Sequence, residues 1–393
     1  MFPTITHIDD VLPHLDDRFF YVSKKDGYTV VNYVVNTNDT FPPIIEGQDN
    51  TTSMIRRECR GIIFYPDGTI MSRPLHKFFN LGERVEVLPH NIIGLDRAQA
   101  FEKLDGSMVR PIFIGQGIHW GSKNGITHIS EQVSKWLQES GKTAVYEAFA
   151  NECQMWGMTP IFEWCSRMNK VVIDYPQPDL IMIALRDTFT GRYCARKTME
   201  SIGRAFQIPV VRLFEESFES KMGSVKLSEG EEGIVAVTPD QTFIKVKSDW
   251  YVKLHKAKEM VSREDVVARL VVEEKIDDVL PLLSPEDQLE ILKFQDHLNG
   301  AIIESAHALE KLWVRAISGT RKDFALSLLP EEKALASIVF KSLDTKAGIL
   351  DYEHALKLIK TSILSFPLAR TSFLDKLSKL TGFSFTLKKG FEL

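Results

Sequence analysis

One segment stands out for chemistry: Phe101-Glu102-Lys103-Leu104-Asp105-Gly106-Ser107, where a lysine closes an apparent strand and runs straight into an Asp-Gly turn. Asp-Gly pairs make tight turns, so a plain surface turn would account for it. The sharper reading makes Lys103 a nucleophile of the Lys-x-Asp-Gly type, whose amine takes up an AMP group covalently. A lysine amine has a reference pKa near ~10.4 and is protonated at neutral pH. It attacks nothing until neighbouring cations or a metal ion disfavour the ammonium form. Those helpers must come from elsewhere in the chain.

Further segments supply candidates in a definite order. Glu58-Cys59-Arg60-Gly61-Ile62-Ile63-Phe64 and Arg73-Pro74-Leu75-His76-Lys77-Phe78-Phe79-Asn80 precede the lysine. Ile161-Phe162-Glu163-Trp164, Glu232-Gly233-Ile234-Val235 and Ile244-Lys245-Val246-Lys247-Ser248 follow it. Each is ordinary alone, since Lys-x-Lys on a strand usually faces solvent. Together they are hard to dismiss. The common nucleotide and hydrolase signatures (GxxxxGK[ST], GxGxxG after a strand, HExxH, GxSxG) do not occur, so a nucleotide would be held by another route.

On these motifs the chain resembles the covalent nucleotidyltransferase superfamily of ligases and capping enzymes. Within it, the likeness is to the phage RNA ligase 1 family, the tRNA-repair ligases. The features that carry it are Glu58-Cys59-Arg60-Gly61, Lys77-Phe78-Phe79-Asn80 and the stretch Lys245-Val246-Lys247-Ser248-Asp249-Trp250-Tyr251-Val252, and it spans about residues 18–255. The resemblance implies an ATP-dependent RNA ligase that joins RNA 5′-phosphate and 3′-hydroxyl ends, with ATP and Mg²⁺ as cofactors and a nicked tRNA as the RNA. Lys103 matches the adenylated lysine. Arg60 and Lys77 match residues on the ATP phosphates, Lys245 and Lys247 the pair on the α-phosphate, and Glu163 the acid on the ribose hydroxyls. Glu232 matches an acid linked to metal. Tyr33 and Lys123 match a further tyrosine and a further basic residue at ATP, and Asp277 with Asp278 a metal-binding pair. Leu104 departs from the pattern, standing where the relatives carry glutamate.

These residues need a scaffold, and the chain's pattern suggests one. Short β-type runs (Tyr28–Val35, Arg60–Tyr65, Met108–Ile114, Thr159–Trp164, Leu180–Leu185, Gly233–Thr238, Phe243–Lys247) fill the first 255 residues, with helices around Glu131–Glu139 and Arg196–Phe206. From about Ser262 the period turns helical: Ser284-Pro285-Glu286-Asp287 starts a helix, and Leu298, Ile302, Ala306, Leu309, Trp313 and Ile317 share one face. The expected fold class is therefore α+β. Residues 1–255 form a nucleotidyltransferase (ATP-grasp-like ligase) domain with mostly antiparallel sheets, and 256–393 form an all-α domain for RNA or tRNA specificity.

Composition bounds the rest. With 393 residues, 44% hydrophobic and 26% charged, the chain reads as a globular protein of two or three domains. No apolar run reaches the ~18 residues of a membrane span. No secretory leader is visible at the start, and four cysteines without metal-ligand spacing suggest reduced thiols. A cytoplasmic protein, without membrane or protein partners, is the expectation. The net charge of -5 excludes a globally basic nucleic-acid trap, leaving local basic clusters. A DNA ligase or capping guanylyltransferase would share the lysine motifs but usually carries a small β-barrel after the last of them, where this chain turns helical. A non-catalytic RNA-binding protein would need no such ordered lysines and acids.

Overall fold

The computed structural model describes residues 2–344, 351–367 and 369–387. The chain divides into two compact units, Met1–Val252 and Lys253–Leu393.

Among the described residues, thirteen strands build the first unit: β1 Phe20–Lys25, β2 Tyr28–Tyr33, β3 Arg60–Phe64, β4 Ile70–Ser72, β5 Phe79–Asn80, β6 Gln99–Lys103, β7 Ser107–Ile114, β8 Gly117–Gly121, β9 Met158–Cys165, β10 Asp179–Asp187, β11 Leu213–Phe214, β12 Gly233–Val237 and β13 Phe243–Lys247. They form three sheets, ordered β1-β2-β3-β4, β10-β9-β7-β8 and β11-β6-β12-β13-β5. Every pairing of these strands is antiparallel except β13 with β5. The mostly antiparallel α+β expectation agrees with this. Helices α1 Thr51–Glu58, α2 His128–Glu139, α3 Thr143–Met155, α4 Arg196–Phe206 and α5 Phe218–Leu227 are inserted between the strands. Helices α1, α3 and α5 and strands β1, β4, β5, β8 and β11 are not foreseen by the sequence pattern; β4, β5 and β11 have only two or three residues each.

Helix α6, Asp249–Val261, follows β13 at once, and no strand comes after it among the described residues. The helical unit continues with α7 Glu264–Val272, α8 Pro285–Ile317, α9 Arg321–Leu326, α10 Lys333–Asp344, α11 Tyr352–Leu364 and α12 Arg370–Thr381. The start of α8 behaves as its residues dictate: the Ser284 side chain accepts the Asp287 N–H at 3.2 Å, with Pro285 first and two acids in the first turn. Leu298, Ile302, Ala306, Leu309 and Trp313 form its buried stripe. Each large member stabilises the fold by about 1.5–3 kcal/mol through burial. Ile317 is a correction. It is 54% exposed, because the inward stripe steps from Trp313 to Ala316 and leaves Ile317 a full residue rotation away. No helix among the described residues is long and apolar enough to cross a membrane.

Candidate active site

Three adjacent strands bring the central lysines together. Gly233 on β12 lies opposite Lys103 on β6 and, across its other edge, opposite Lys247 on β13. Lys245 is two residues before Lys247, so strand alternation sends both to one face. The residue before Gly233 is Glu232, 3% exposed, whose Oε1 accepts from Lys103 Nζ at 2.7 Å and Lys247 Nζ at 3.1 Å. Glu231 turns instead toward Lys221, 3.6 Å away. Gly233 has to be glycine: a Cβ there would meet the Val246 carbonyl oxygen at 2.1 Å. Beside this row opens a cavity of about 620 Å³, lined by Lys103, Lys245, Arg60 and Glu163 and walled by apolar side chains such as Phe78, Ile183 and Phe243.

The turn after Lys103 is bolted down. Asp105 Oδ2 accepts the Val172 and Ile173 N–H groups, both at 2.7 Å, and Oδ1 accepts the Tyr251 hydroxyl at 2.6 Å. The Asp105 N–H donates to the Tyr175 hydroxyl at 3.0 Å. Burial first, then Glu232 and Asp105, push the Tyr251 phenol far above its usual range, so its hydroxyl remains a donor. A Cβ on Gly106 would meet the Trp164 carbonyl oxygen at 2.3 Å, so only glycine lets the turn lie against β9. The Gly106 N–H donates to Glu163 Oε1 at 3.2 Å. Burial pushes the Glu163 carboxyl up to about 7, against the pull of Lys103. Leu104, the departure from the motif, packs into the apolar core that β7, β9 and β10 share with α2 and α3.

A second group of cations gathers around aromatic rings. Lys77 Nζ sits 5.4 Å from the Tyr33 ring centroid, 5.5 Å from Phe41 and 5.4 Å from Phe79, and Lys123 Nζ is 5.6 Å from Tyr33. Burial, then Arg60, lowers the Lys77 amine to about 8. Lys245 is held well below the lysine range by burial, then by Arg60 and Lys103. Among the described residues, no carboxylate oxygen lies within 4.0 Å of the charged nitrogens of Arg60, Lys77, Lys123 or Lys245. This is a nest of positive charge with no acid in ion-pair contact, Glu83 and Glu163 acting on it only from a distance.

Behind the nest, Glu58 is fully buried between Arg73 (3.0 Å) and Arg186 (2.8 Å). Burial pushes its carboxyl up, but Arg186 and then Arg73 outweigh that and hold it at about 2. This triad joins the end of α1, two residues before Arg60, to the 73–77 segment and the end of β10, and so fixes the chain that carries Arg60 and Lys77.

Nine of the eleven residues singled out from sequence, from Tyr33 to Lys247, therefore gather in the first unit around one cavity and its cationic end. Asp277 and Asp278 do not join them there. They are exposed on a single 3₁₀ turn of the helical unit. No group of three or more His, Cys, Asp or Glu residues able to hold a metal occurs among the described residues. A divalent cation that takes most of its shell from phosphate oxygens and water needs only one or two carboxylates, and Glu232 is the buried carboxylate beside Lys103. Tyr251 and Tyr175 were not singled out. Tyr251 stood inside a quoted motif, but only the fold shows that it reaches Asp105.

Comparison with known proteins finds RNA ligases. A family model described as RNA ligase matches residues 58–260. RNA ligase 1 of bacteriophage TS2126 is 26% identical over 319 residues, covering 75% of this chain and 74% of that one. A candidate RNA ligase of Thermovibrio ammonificans is 28% identical over 323 residues, covering 78% and 80%. Among solved structures, an archaeal ATP-dependent RNA ligase aligns over 94% of both chains at 14% identity, with a TM-score of 0.40.

Proposed function

Because this chain belongs to the RNA ligase family, we propose that it seals RNA in three steps through an AMP carried on Lys103. In the first, the Lys103 amine forms a bond to the α-phosphorus of ATP. The bond from that phosphorus to the bridging oxygen breaks, pyrophosphate leaves, and the amine proton passes to solvent. In the second, an oxygen of an RNA 5′-phosphate attacks the same phosphorus. The phosphorus–nitrogen bond breaks and Lys103 regains its proton. In the third, an RNA 3′-hydroxyl oxygen attacks the activated 5′-phosphorus, AMP departs and the hydroxyl proton is lost to solvent.

The residues divide this work by position and charge. Arg60, Lys77, Lys123 and Tyr33 hold the outer phosphates, and Lys245 with Lys247 holds the α-phosphate as negative charge shifts across it. Glu163 holds the ribose hydroxyls. A magnesium ion held through Glu232 would supply further charge neutralisation at the phosphates. Asp277 and Asp278 are a second place where the helical unit could contribute to metal binding. That unit, residues 253–393, is assigned the choice of RNA, a nicked tRNA, by shape and unpaired loops. The whole reaction takes place in the cytoplasm.

The observation that carries this reading is the unbalanced cation nest beside a lysine held in register with Glu232 and Lys247. It is tested by incubating the protein with Mg²⁺ and either α-labelled ATP or α-labelled GTP, then adding nicked tRNA or a linear 5′-phosphorylated oligonucleotide. ATP label should stay on denatured wild-type protein, be absent from Lys103→Ala, and chase into RNA, faster into the nicked tRNA. GTP labelling alone would point to capping chemistry, no labelling to a binding protein, and equal chase into both RNAs would remove the tRNA assignment.

A further inference from the structure

Four arginines of the first unit are buried: Arg57, Arg73, Arg110 and Arg186. Arg57 pairs with Glu86 at 2.5 Å, and Arg73 and Arg186 share Glu58. Arg110 differs. It is 0% exposed on β7, and among the described residues no carboxylate lies within 4.0 Å of its guanidinium. Its Nη2 donates to the Gly61 carbonyl and its Nη1 to the Ser122 carbonyl at 3.2 Å, while Nε has no partner. Carbonyl dipoles satisfy hydrogen bonds but do not cancel a charge.

The two carbonyls identify what Arg110 serves. Gly61 follows Arg60, and Ser122 precedes Lys123. The two backbones touch: a Cβ on Gly61 would meet the Lys123 carbonyl oxygen at 2.2 Å. The Ser122–Gly125 turn is closed by bonds of 2.9 and 3.0 Å, and Asn32 on β2 reaches Asn124 at 2.8 Å. Arg110 is thus a stitch between two segments that each present a cation to the nest. Burial, then Arg60, lowers its guanidinium to about 9, so it stays charged at neutral pH.

We propose that Arg110 is a positioning residue for the polyphosphate of the nucleotide: it sets the spacing of Arg60 and Lys123 and adds a buried charge that only an arriving polyanion offsets. It touches no substrate. An apolar side chain of similar length would fill the same space without the desolvation cost, so the charge is retained for what it attracts. The inference rests on the ATP reading above, and the test separates the two.

Binding of ATP and of AMP, each with Mg²⁺, is measured by calorimetry on Lys103→Ala protein, where the covalent step is off. Adding Arg110→Met should weaken ATP by about tenfold, the size expected of a unit charge lost about 12 Å from a phosphate charge at an effective dielectric constant of about 20. AMP should be little changed, and the thermal midpoint of the free protein should not fall. Arg110→Lys keeps the charge but reaches only one carbonyl. It should recover part of the ATP affinity, and if the methionine variant does not fold it should still show a lower ATP-to-AMP affinity ratio than its parent. Equal weakening of ATP and AMP, or an unchanged ratio in the variants that fold, would overturn the proposal. If Lys103→Ala alone fails to bind ATP, the ATP reading fails instead.

Discussion

Two clusters of positive charge border one cavity, and they are balanced in opposite ways. At Glu232, Lys103 and Lys247 share a single buried carboxylate. Around Tyr33, Lys77 and Lys123 face aromatic rings, with Arg60, Lys245 and buried Arg110 nearby and no acid in contact. Ring faces offset a cation only in part, by about 0.5–2 kcal/mol. The first cluster is at rest in the free protein. The second bears an unrelieved desolvation cost, which a bound polyanion would remove. The difference separates a group kept ready for reaction from groups kept ready for binding, although both use lysines.

Lys245 offers the largest break in that comparison, because its amine is the most deeply desolvated of these lysines and feels the charge of the reacting lysine. Lys245→Met removes the charge and keeps an unbranched chain against Phe78, 4.6 Å from the amine in the wild type. Formation of the lysine adduct should fall by about 10²–10³, as when one preorganised charge-stabilising donor is removed. The thermal midpoint should hold or rise. A variant that still labels at the wild-type rate would show that the strand carries Lys245 for stability, and the contrast between the two clusters would collapse.

Lys77 sharpens the comparison through pH. Its amine is lowered to about 8 from an ordinary 10.5, so the charge is present below pH 8 and lost above it. ATP affinity, read on Lys103→Ala protein, should be flat below pH 7 and weaken by about tenfold toward pH 9.5, in proportion to the lost charge. Lys77→Arg stays charged throughout and should remove the part of that inflection centred near pH 8, whatever its affinity at pH 7. An unchanged profile in Lys77→Arg would assign the titration to another group.

Much of this site was legible in the sequence, and for a physical reason. Lys103, Lys245, Lys247 and Glu232 lie on or beside strands, where alternation and the following glycine reveal which side chains share a face. Arg60, Lys77 and Glu163 stood in short motifs whose order along the chain carried the signal. What stayed hidden depends on contacts between distant segments. Tyr251 meets Asp105 across 146 positions, and Arg110 reaches Gly61 across 49. An arginine in Val109-Arg110-Pro111 looks like any solvent-facing strand residue until three-dimensional packing removes the water. The fold divides the same way. Long strands and the capped α8 were readable, whereas two-residue strands such as β5 and β11 exist only because a neighbouring strand pairs with them. Ile317 shows the limit of periodicity, which cannot say whether the buried stripe continues by three residues or by four, here from Trp313 to Ala316.

The smallest expected effect concerns Glu163, an acid of the cavity that makes no ion pair within 4.0 Å. Glu163 sits at about 7 against an ordinary 4.5, because burial disfavours its charged form more than Lys103 restores it. A carboxyl raised on folding binds its proton more tightly in the folded state than in the unfolded one. Its contribution to stability is therefore present below about pH 4.5 and is lost as pH rises through about 7. Above that, the wild type bears the cost of a desolvated carboxylate. Glu163→Gln never ionises and can still accept the Gly106 N–H, so it escapes this cost. Measured by chemical denaturation, the variant should match the wild type near pH 4.5 and exceed it by on the order of 1 kcal/mol at pH 8, well below the full value of the shift because the side chain is only partly withdrawn from water. Parallel stability curves from pH 4.5 to 8 would mean that Glu163 does not titrate there. ATP should then shift the curves in the opposite sense, since the ribose hydroxyls it is proposed to hold would favour the charged form of Glu163 and lower its titration toward the ordinary range.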